Sequence, residues 1–358
     1  METSVILRFM TEILADAEAP STLDAVDRQL LHALGVNGRA SFRLIASAIG
    51  VSEQTAARRY RRLRDAGVVR VLMLPAPHPT DRGQLVRLEV QPQAVRAVAG
   101  ALAARPDVSW LRLMNAGAEI LFGVRARTRA DRDSLLLDQL PRTGRVLRTT
   151  VYSVLHHFRT PGEADWAGFG DQLDTEQRRL LHVDPPDRPL MRIDNADRAI
   201  VDELAVDGRA TYARLADVSG VSESAVARRL ELLLRSGALY SDVDIAPELL
   251  GYPAGANLYL EVTPSKVPTV GALLAAHRQT AFVAAVGGSA NMIAAIRCED
   301  VAEIYEYVTA TLGQVNGVEH VEVSTVSRTI KHARAVTDEN RLTTTPASAT
   351  AGRRTMAP

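Results

Sequence analysis

Cysteine, lysine and net charge are what this sequence has least of. Its 358 residues include one cysteine, Cys298, which excludes an intrachain disulfide and any metal cluster built on several cysteines. Only Lys266 and Lys331 are lysines, so arginine supplies nearly all the basic residues. Acidic and basic residues balance to a formal net charge of zero. The overall balance therefore says nothing about partners, and only the distribution of charge along the chain can.

Long apolar runs are also missing. No run approaches the roughly 18 residues that a membrane-spanning helix needs. The first twenty residues carry acidic side chains among apolar ones and do not open on a basic stretch, so they make a poor secretory signal. A hydrophobic content of 46% with 23% charged residues is ordinary for a soluble globular protein. We therefore expect a cytoplasmic protein with several modest cores and no membrane partner.

The feature that is present is an internal repeat. Residues 24–67 and 194–237 align without a gap at an offset of 170, and 18 of the 44 aligned positions are identical. Similarity resumes at an offset of 172, where LEVQP (88–92) matches LEVTP (260–264). Self-similarity at a fixed period indicates a repeated structural unit. The sequence thus predicts one two-part unit duplicated in tandem.

The first part of each unit has the spacing of a helix-turn-helix. In the second copy, Thr211 can cap the middle helix and Gly220 can supply the positive φ of a tight turn. Ser222 then begins a third helix, and Gly237 ends it. The first copy follows the same course with its turn at Gly50. Three short helices with a glycine turn before the third predict a helix-turn-helix in each copy.

The second part of each unit alternates as strands do. We predict the order β-α-β-β-α-β at residues 85–90, 94–105, 108–114, 119–125, 129–140 and 146–158, and again at 256–262, 267–277, 281–286, 290–297, 301–313 and 320–330. This order is that of a ferredoxin-like sheet with both helices on one face. The predicted fold class is α+β, in which two winged-helix or helix-turn-helix domains alternate with two ferredoxin-like βαββαβ domains.

These elements divide the chain into six predicted segments. They are a first helix-turn-helix domain (21–72), a first ferredoxin-like domain (84–160), a linker with a helix around 175–182 (161–188), a second helix-turn-helix domain (189–245), a second ferredoxin-like domain (254–333) and a disordered tail rich in Thr, Ala and Pro (334–358).

The third helix of each copy is the candidate DNA reader. Helical geometry places Val226, Leu230 and Leu233 on a buried face and leaves polar residues outside. Arginine and glutamine can each make two hydrogen bonds to a purine edge. An arginine-rich face could also serve only solubility, but its recurrence after a glycine turn in both copies favours DNA contact. The predicted DNA-binding residues are Ser52, Gln54, Thr55, Arg58, Arg59, Arg61 and Arg62 in the first copy and Ser222, Ser224, Arg228 and Arg229 in the second.

The two copies differ in charge. Residues 22–71 hold nine arginines and four acids, a net charge of +5, whereas residues 192–241 hold seven arginines and eight acids, a net charge of −1. Arg61 and Arg62 of the first copy are replaced by Glu231 and Leu232 in the second. Phosphate neutralisation supplies most of the non-specific affinity for DNA. We therefore expect the first copy to bind DNA more strongly.

These motifs resemble the Lrp/AsnC family of bacterial and archaeal transcription regulators. The resemblance covers residues 21–160 and 189–333. It implies pairing through the ferredoxin-like halves, further assembly, and a small-molecule effector, such as an amino acid, bound near their interface. The matching residues are Asp24, Asp27, Gly38, Arg39, Ser41, Gly50, Val51, Ser52, Thr55, Arg59, Leu63 and Gly67, and Asp194, Asp197, Gly208, Arg209, Thr211, Gly220, Val221, Ser222, Val226, Arg229, Leu233 and Gly237.

The effector site implied by the resemblance is a Gly-x-x-Asp hairpin between the second and third strands. In the second copy it corresponds to Gly287, Gly288, Ser289 and Asn291, with asparagine in place of the aspartate. In the first copy the corresponding stretch, residues 116–119, reads AGAE. Effector binding at the second-copy hairpin and a tight turn that only holds the sheet are both compatible with these residues.

The tandem arrangement suggests that one chain forms its own pseudo-dimer, although pairing between chains is also compatible with the sequence. Double-stranded DNA is the expected partner, at two half-sites about 10 bp or a multiple of this apart. Unequal copies predict an asymmetric operator with one dominant half-site. A ligand would act through assembly or through the spacing of the two helix-turn-helices. The expected location is the cytoplasm, in association with the nucleoid.

No enzyme motif is recognisable. The chain lacks nucleophile-elbow, phosphate-loop and zinc spacings, so we expect no catalytic residue, no metal, no cofactor and no enzyme activity. His156 and His157 are neighbours on a strand and face opposite ways, so they cannot chelate together. Two alternatives stay open. Siroheme decarboxylases resemble paired units of this kind, with His277, His320 and His332 as candidates here, and a ligand-binding oligomer with vestigial helix-turn-helices fits the second copy.

Overall fold

The structure is a computed structural model. It describes residues 23–76, 83–124, 128–159, 172–182, 187, 189–245, 247–332, 335–338 and 341–343. No helix within these ranges is long and apolar enough to cross a membrane.

Each copy begins with a three-helix domain. The first copy contains α1 (Ala25–Val36), α2 (Phe42–Ile49) and α3 (Glu53–Asp65). The second contains α7 (Arg198–Leu204), α8 (Tyr212–Ser219) and α9 (Glu223–Arg235). The side chains of Ser41 and Thr211 cap α2 and α8, and Gly50 and Gly220 end these helices with φ of 72° and 71°. The predicted helix-turn-helix is therefore confirmed in both copies.

A two-stranded ribbon joins the two helix-turn-helices. Strand β1 (Val69–Pro75) follows α3, strand β6 (Leu239–Ile245) follows α9, and the two pair antiparallel over seven residue pairs. A winged helix would pair such a strand within its own domain, whereas here each copy contributes one strand. Val69 and Val71 pack into the first helix-turn-helix core, and Met73 packs into the second. The ribbon therefore holds the two copies together as a pseudo-dimer within one chain.

Two arginines fasten this pseudo-dimer reciprocally. The Arg39 guanidinium donates hydrogen bonds to the carbonyl oxygens of Gly208 (2.6 Å) and Ala210 (3.2 Å). Arg209 donates to those of Gly38 (2.6 Å) and Ala40 (2.9 Å). Each arginine thus satisfies backbone acceptors in the other copy, which a planar guanidinium can do with two parallel N–H groups.

The two ferredoxin-like units have the predicted order of elements. The first consists of β2 (Gln84–Val90), α4 (Val95–Ala103), β3 (Val108–Met114), β4 (Glu119–Val124), α5 and β5 (Val146–Arg159), where α5 runs from Arg129–Asp133 through a π-helical segment, Ser134–Gln139, to Leu140–Arg142. The second consists of β7 (Ala254–Val262), α10 (Val267–Ala276), β8 (Thr280–Gly287), β9 (Met292–Cys298), α11 and β10 (Val318–His332), where α11 runs from Val301–Glu306 through Tyr307–Thr311 to Leu312–Gln314.

The two units close into one sheet. The long strand β5 pairs with β2 of its own unit and then with β8 of the other unit, and β10 pairs likewise with β7 and then β3. The resulting order β10-β3-β4-β2-β5-β8-β9-β7 returns to β10, so eight strands form a closed barrel. If the two units were apart, each would expose unpaired strands at the edges of its sheet. In the closed barrel these edge strands pair with each other. The helices of each unit cover an outer face, and Leu85, Tyr152, Val154, Tyr259 and Ile293 pack inside between the units.

The linker and the tail are more ordered than the predictions state. Helix α6 (Thr175–Leu181) confirms the predicted linker helix, and Leu173 and Leu181 bury themselves in the first helix-turn-helix core. The prediction of a disordered tail from residue 334 is wrong for strands β11 (Ala335–Asp338) and β12 (Arg341–Thr343). These strands extend the sheet from the end of β10. Composition missed them because their order comes from backbone pairing with an existing strand. The last residues of the tail lie outside the described residues.

Candidate nucleic-acid interface and ligand sites

The recognition helices α3 and α9 have one buried and one exposed face. Ala56, Tyr60 and Leu63 of α3 are buried, as are Val226, Leu230 and Leu233 of α9, which matches the predicted core face. The opposite face presents Gln54, Arg58 and Arg61 in the first copy and Ser224 and Arg228 in the second, all exposed. Arg61 curls back along its helix, because its Nε donates to the Ala57 carbonyl at 3.3 Å. These exposed side chains are placed where a groove of DNA could meet them.

The serine that begins each recognition helix has a structural task. The Ser52 hydroxyl accepts a hydrogen bond from the Thr55 N–H (3.1 Å), and its Oγ lies 2.8 Å from the Thr55 Oγ1. The Ser222 hydroxyl accepts one from the Ala225 N–H at 3.3 Å. Such caps satisfy backbone donors that the first helical turn leaves open. Contact of Ser52, Thr55 and Ser222 with DNA stays a prediction.

Arg59 and Arg229 point inward to the first helix of their domains. Arg59 pairs with Asp24 (2.5 Å) and with the buried Asp27 (2.9 Å). Arg229 donates to both carboxylate oxygens of Asp197 at 2.6 Å. These pairs clamp the recognition helix onto α1 or onto the start of α7. In each copy, the arginine and the aspartates of the family motif thus form one clamp. Arg59 and Arg229 are therefore less available to DNA than the exposed arginines.

Arg62 has a mixed position. Its guanidinium reaches Asp27 at 2.5 Å, while its side chain remains 60% exposed. Asp27 therefore accepts hydrogen bonds from two arginines of α3, whereas the corresponding Asp197 is paired with one arginine of α9, Arg229, since residue 232 is leucine. The first copy thus keeps a partly exposed arginine at a position where the second has none.

Hydrogen bonds within the clamps lower the pKa of Asp197 and of Asp24. Burial by itself would raise the pKa of Asp197, but hydrogen bonds from Arg229 and from the Asp194 N–H outweigh this and hold the pKa below its ordinary value. In the first copy, the Asp27 N–H and then Arg59 lower the pKa of Asp24. The same ion pairs raise the pKa of Arg59 and Arg229. Asp24 and Arg59 in the first copy and Asp197 and Arg229 in the second therefore favour their charged forms.

We expect the ion pair of Asp197 with Arg229 to make the free energy of unfolding depend on pH in the acidic range. A group whose folded-state pKa is depressed stabilises the protein above its unfolded pKa, about 3.9, and this contribution disappears as pH falls through the folded value. Asp197→Asn should therefore lower the free energy of unfolding at pH 7, and its deficit against the wild type should shrink below about pH 4. Urea unfolding at a series of pH values measures the deficit. Asp217→Asn, at an exposed site, is the control, and a deficit that stays constant down to pH 3 would contradict the prediction.

The predicted effector hairpin packs against the other unit. A Cβ on Gly288 would lie 2.6 Å from the Tyr152 ring, and Ser289 Oγ is 3.2 Å from the Tyr152 hydroxyl. The Asn291 amide bonds in both directions to the backbone of Val262, accepting at 2.9 Å and donating at 2.6 Å. Asn291 therefore bridges β7 and β9 and holds the hairpin. This arrangement favours the interpretation as a sheet-holding turn, and effector binding at Gly287, Gly288, Ser289 and Asn291 stays a prediction.

The corresponding place in the first copy is filled by charged side chains. Glu119 accepts two hydrogen bonds from Arg87 at 2.8 and 2.5 Å, and Glu322 of the other unit accepts a third at 2.6 Å. The Arg87 guanidinium lies 4.8 Å from the centre of the Tyr259 ring. The two hairpins, related by the duplication, thus differ in chemistry as the two recognition helices do.

A cavity of about 120 Å³ lies between the ribbon and the barrel mouth. Asp242 and Asp244 of β6 line it together with His157, His332 and Arg112 of the barrel. Of the three histidines named from sequence, only His332 reaches it. His277 bonds the Tyr307 hydroxyl at 2.9 Å, and His320 is exposed on β10. The sequence did not assign His157 or the two aspartates to a site. His157 was considered only as a chelating pair with His156, and only the ribbon pairing brings the aspartates of β6 over the barrel.

Comparison with known families supports this architecture. Residues 23–64 and 193–234 match the AsnC-type helix-turn-helix domain, and residues 257–336 match the Lrp/AsnC ligand binding domain. The chain therefore carries two helix-turn-helix domains and one ligand binding domain of the Lrp/AsnC type. The two helix-turn-helix matches confirm the tandem duplication. The first ferredoxin-like unit is assigned by its fold, since it repeats the strand order of the second.

Two similar proteins each match a stretch about as long as one unit of this chain. An uncharacterized HTH-type transcriptional regulator of Pyrococcus furiosus is 28% identical over 133 residues, which is 37% of this chain and 90% of that protein. The HTH-type transcriptional regulator FL11 of Pyrococcus abyssi is 28% identical over 140 residues, 39% of this chain and 92% of that protein. Each relative therefore corresponds to one of the two units, and both are described as transcriptional regulators.

One similar structure spans both units. The siroheme decarboxylase NirDL is 16% identical, with a TM-score of 0.57 over 87% of this chain and 93% of that one. This finding contradicts the prediction that the chain is not an enzyme, because that prediction rested on the absence of familiar catalytic motifs. The paired fold also occurs in an enzyme, so the helix-turn-helix does not exclude an active site. At this identity, the similarity shows the fold.

Proposed function

We propose that the chain is a sequence-specific DNA-binding regulator of the Lrp/AsnC type that reads DNA with two unequal helix-turn-helices and responds to a small molecule. The proposal rests on the exposed face of α3, which presents Gln54, Arg58 and Arg61. The corresponding face of α9 presents Ser224 and a single arginine, Arg228. Both faces belong to helices that one ribbon and two arginines hold in a fixed relation. A protein of this kind would act at the nucleoid.

The proposed contacts divide by their surroundings. Gln54, Arg58, Arg61 and, in the second copy, Ser224 and Arg228 are the candidates for contact with bases and phosphates. Arg62 is a candidate for phosphate, since it is exposed while still held by Asp27. We assign Arg59 and Arg229 mainly to positioning of the recognition helices, and Ser52, Thr55 and Ser222 to the helix start, where N–H groups favour a phosphate.

Binding of the purified chain to its own upstream DNA tests the proposal. Fluorescence anisotropy is measured over a salt series and with unrelated competitor DNA. We expect tight, competitor-resistant binding whose affinity falls steeply with salt, since several phosphates would be neutralised. A footprint should show one strongly and one weakly protected half-site. Binding indistinguishable from competitor would contradict the proposal, and two equally protected half-sites would contradict the inequality of the copies.

A second function rests on the whole-chain fold. The similar structure NirDL was also obtained with an iron-uroporphyrin III analogue. In the present chain, His157, His332 and Arg112 line the cavity between ribbon and barrel. A tetrapyrrole is several times larger than this cavity, so its entry would require the ribbon to move away from the barrel. Titration with iron-uroporphyrin III, followed by its Soret absorption, decides between the functions. Saturable binding that His157→Ala abolishes would favour the enzyme.

A further inference from the structure

We propose that the cavity between the ribbon and the barrel mouth binds the primary ammonium group of a small aliphatic molecule. The site is separate from the hairpin of Gly287 to Asn291, because its barrel walls come from the opposite ends of the strands, including Ser109 on β3 and Gly123 on β4. Barrel mouths and domain junctions are common places for small-molecule sites. The effect of this ligand on DNA binding rests on the proposed function, whereas binding of the ligand to the cavity does not.

The proposal rests on three buried oxygen atoms that line the cavity. Asp244 Oδ2, Asn257 Oδ1 and Gln84 Oε1 are buried around the cavity, and none accepts a hydrogen bond from a residue in the described part of the chain. Asp244 and Asn257 are 3% and 2% exposed. Buried acceptors normally have donors, and each exception needs an explanation. A protonated primary amine carries three N–H donors, which is what buried acceptors of this kind lack.

Charge and shape agree with such a ligand. The carboxylates of Asp242 and Asp244 supply negative charge, although His332 Nδ1 lies 3.2 Å from the other Asp244 oxygen and Arg70 faces Asp244 across the ribbon. The rest of the lining includes Leu74, Leu85, Val154 and Phe282, which suit an aliphatic body. A cavity of about 120 Å³ holds about five or six non-hydrogen atoms, since a cavity of about 150 Å³ admits benzene.

The ammonium group has two chemical sources, a free amine or a small amino acid. Arg112 lines the same cavity and lies 5.1 Å from the centre of the Trp110 ring. Its guanidinium is suited to a carboxylate and would favour the amino acid. Gly123 leaves room for this pair, since a Cβ there would lie 2.6 Å from Trp110 Nε1.

The position of the cavity gives the ligand a route to the recognition helices. Strands β1 and β6 begin four residues after the ends of α3 and α9, and Asp242, Asp244, Leu74 and Tyr240 of the ribbon form one wall of the cavity. A ligand that draws the ribbon onto the barrel would fix the position of the two helix-turn-helices relative to the barrel. Ligand and DNA would then be coupled reciprocally.

Calorimetric titration of the full-length protein without DNA tests the site. The probes are n-butylamine, L-alanine and, as the neutral control of the same shape, 1-butanol. We expect the better of the two ammonium probes to bind at least about tenfold more tightly than 1-butanol, as charged hydrogen bonds require. Tighter L-alanine identifies an amino acid, and tighter n-butylamine identifies a free amine. No binding, or equal binding of 1-butanol, would overturn the proposal and leave the cavity to water.

Variants locate the binding. Asp244→Asn and Asn257→Leu should each weaken it by about tenfold or more, while Ser289→Ala at the hairpin should leave it unchanged. The reverse pattern would place the ligand at the hairpin and overturn the proposal. Should a variant fail to fold, Trp166→Phe leaves Trp110 as the sole tryptophan of an otherwise natural protein. Its fluorescence must then change on saturation, and an unchanged spectrum would count against the cavity. If the amine binds but DNA does not, only the proposed function fails.

Discussion

Arg209→Ala is expected to lower the free energy of unfolding by about 3 kcal/mol, because two buried carbonyl groups lose their donor. Arg209 donates to Gly38 and Ala40 of the other copy, and its guanidinium lies 4.5 Å from the centre of the Phe42 ring and 5.4 Å from that of Tyr60. Burial lowers the pKa of this guanidinium, and the two rings pack against it. Urea unfolding measures the loss.

The duplication provides the control for this prediction. Arg39 makes the reciprocal hydrogen bonds but stacks on one ring, Tyr212, at 5.6 Å. Arg39→Ala should therefore lower the free energy of unfolding by less, about 2 kcal/mol. The stability of Arg209→Lys should lie between those of the wild type and Arg209→Ala, since lysine keeps the charge but loses the paired N–H donors of the guanidinium. Arg209→Ala should also weaken binding to DNA with two half-sites more than to DNA with one. An Arg209→Ala protein as stable as the wild type would show that the ribbon alone holds the copies together.

Arg58→Ala combined with Arg61→Ala is expected to weaken DNA binding by about a hundredfold, since each arginine contributes about 1–3 kcal/mol when it contacts a base edge or a phosphate. The slope of log affinity against log salt should also fall by up to about 2. Both side chains are exposed on α3 and have no acidic partner among the described ion pairs. The measurement is anisotropy on the upstream DNA at several salt concentrations.

Matched substitutions separate direct contact with DNA from the effect of overall charge. Arg228→Ala removes the arginine of α9 that corresponds to Arg58 and should cost less, because the second copy carries a net charge of −1 where the first carries +5. Arg148→Ala, on an exposed side chain of the barrel that pairs with Glu89 at 3.6 Å, should change neither affinity nor slope. An equal loss for Arg148→Ala would mean that only overall charge matters, and an equal loss for Arg228→Ala would mean that the copies share binding evenly.

The sequence predicted the local structure well because local signals are strong in both copies. Ser41 and Thr211 cap their helices, Gly50 and Gly220 end them, and the alternation of residues 108–114 predicted β3 with its observed bounds. The internal repeat made each element visible twice. The family matches then confirmed the resemblance that these motifs had suggested.

Side-chain roles were harder to predict. Helical periodicity places Arg59 and Arg229 at the flank of the outer face, but it cannot show that Asp27 and Asp197 reach them from another helix. The same limit applies to Asn291, whose partner is the backbone of Val262. The prediction against an enzyme was wrong for a related reason, since the absence of a local catalytic motif says nothing about a cavity between domains.

The sequence by itself determined that two helix-turn-helix and ferredoxin-like units follow each other, and that they are unequal in charge. Periodicity, capping and composition are properties of residues close along the chain, so a sequence carries them directly. Only the tertiary structure decided that the units pair within one chain. Pairing depends on contacts between residues about 170 apart, such as Arg39 with Gly208 and Val71 with Val243. The same long-range pairing closes the barrel and places β6 over its mouth, which creates the cavity of Asp244 and Asn257.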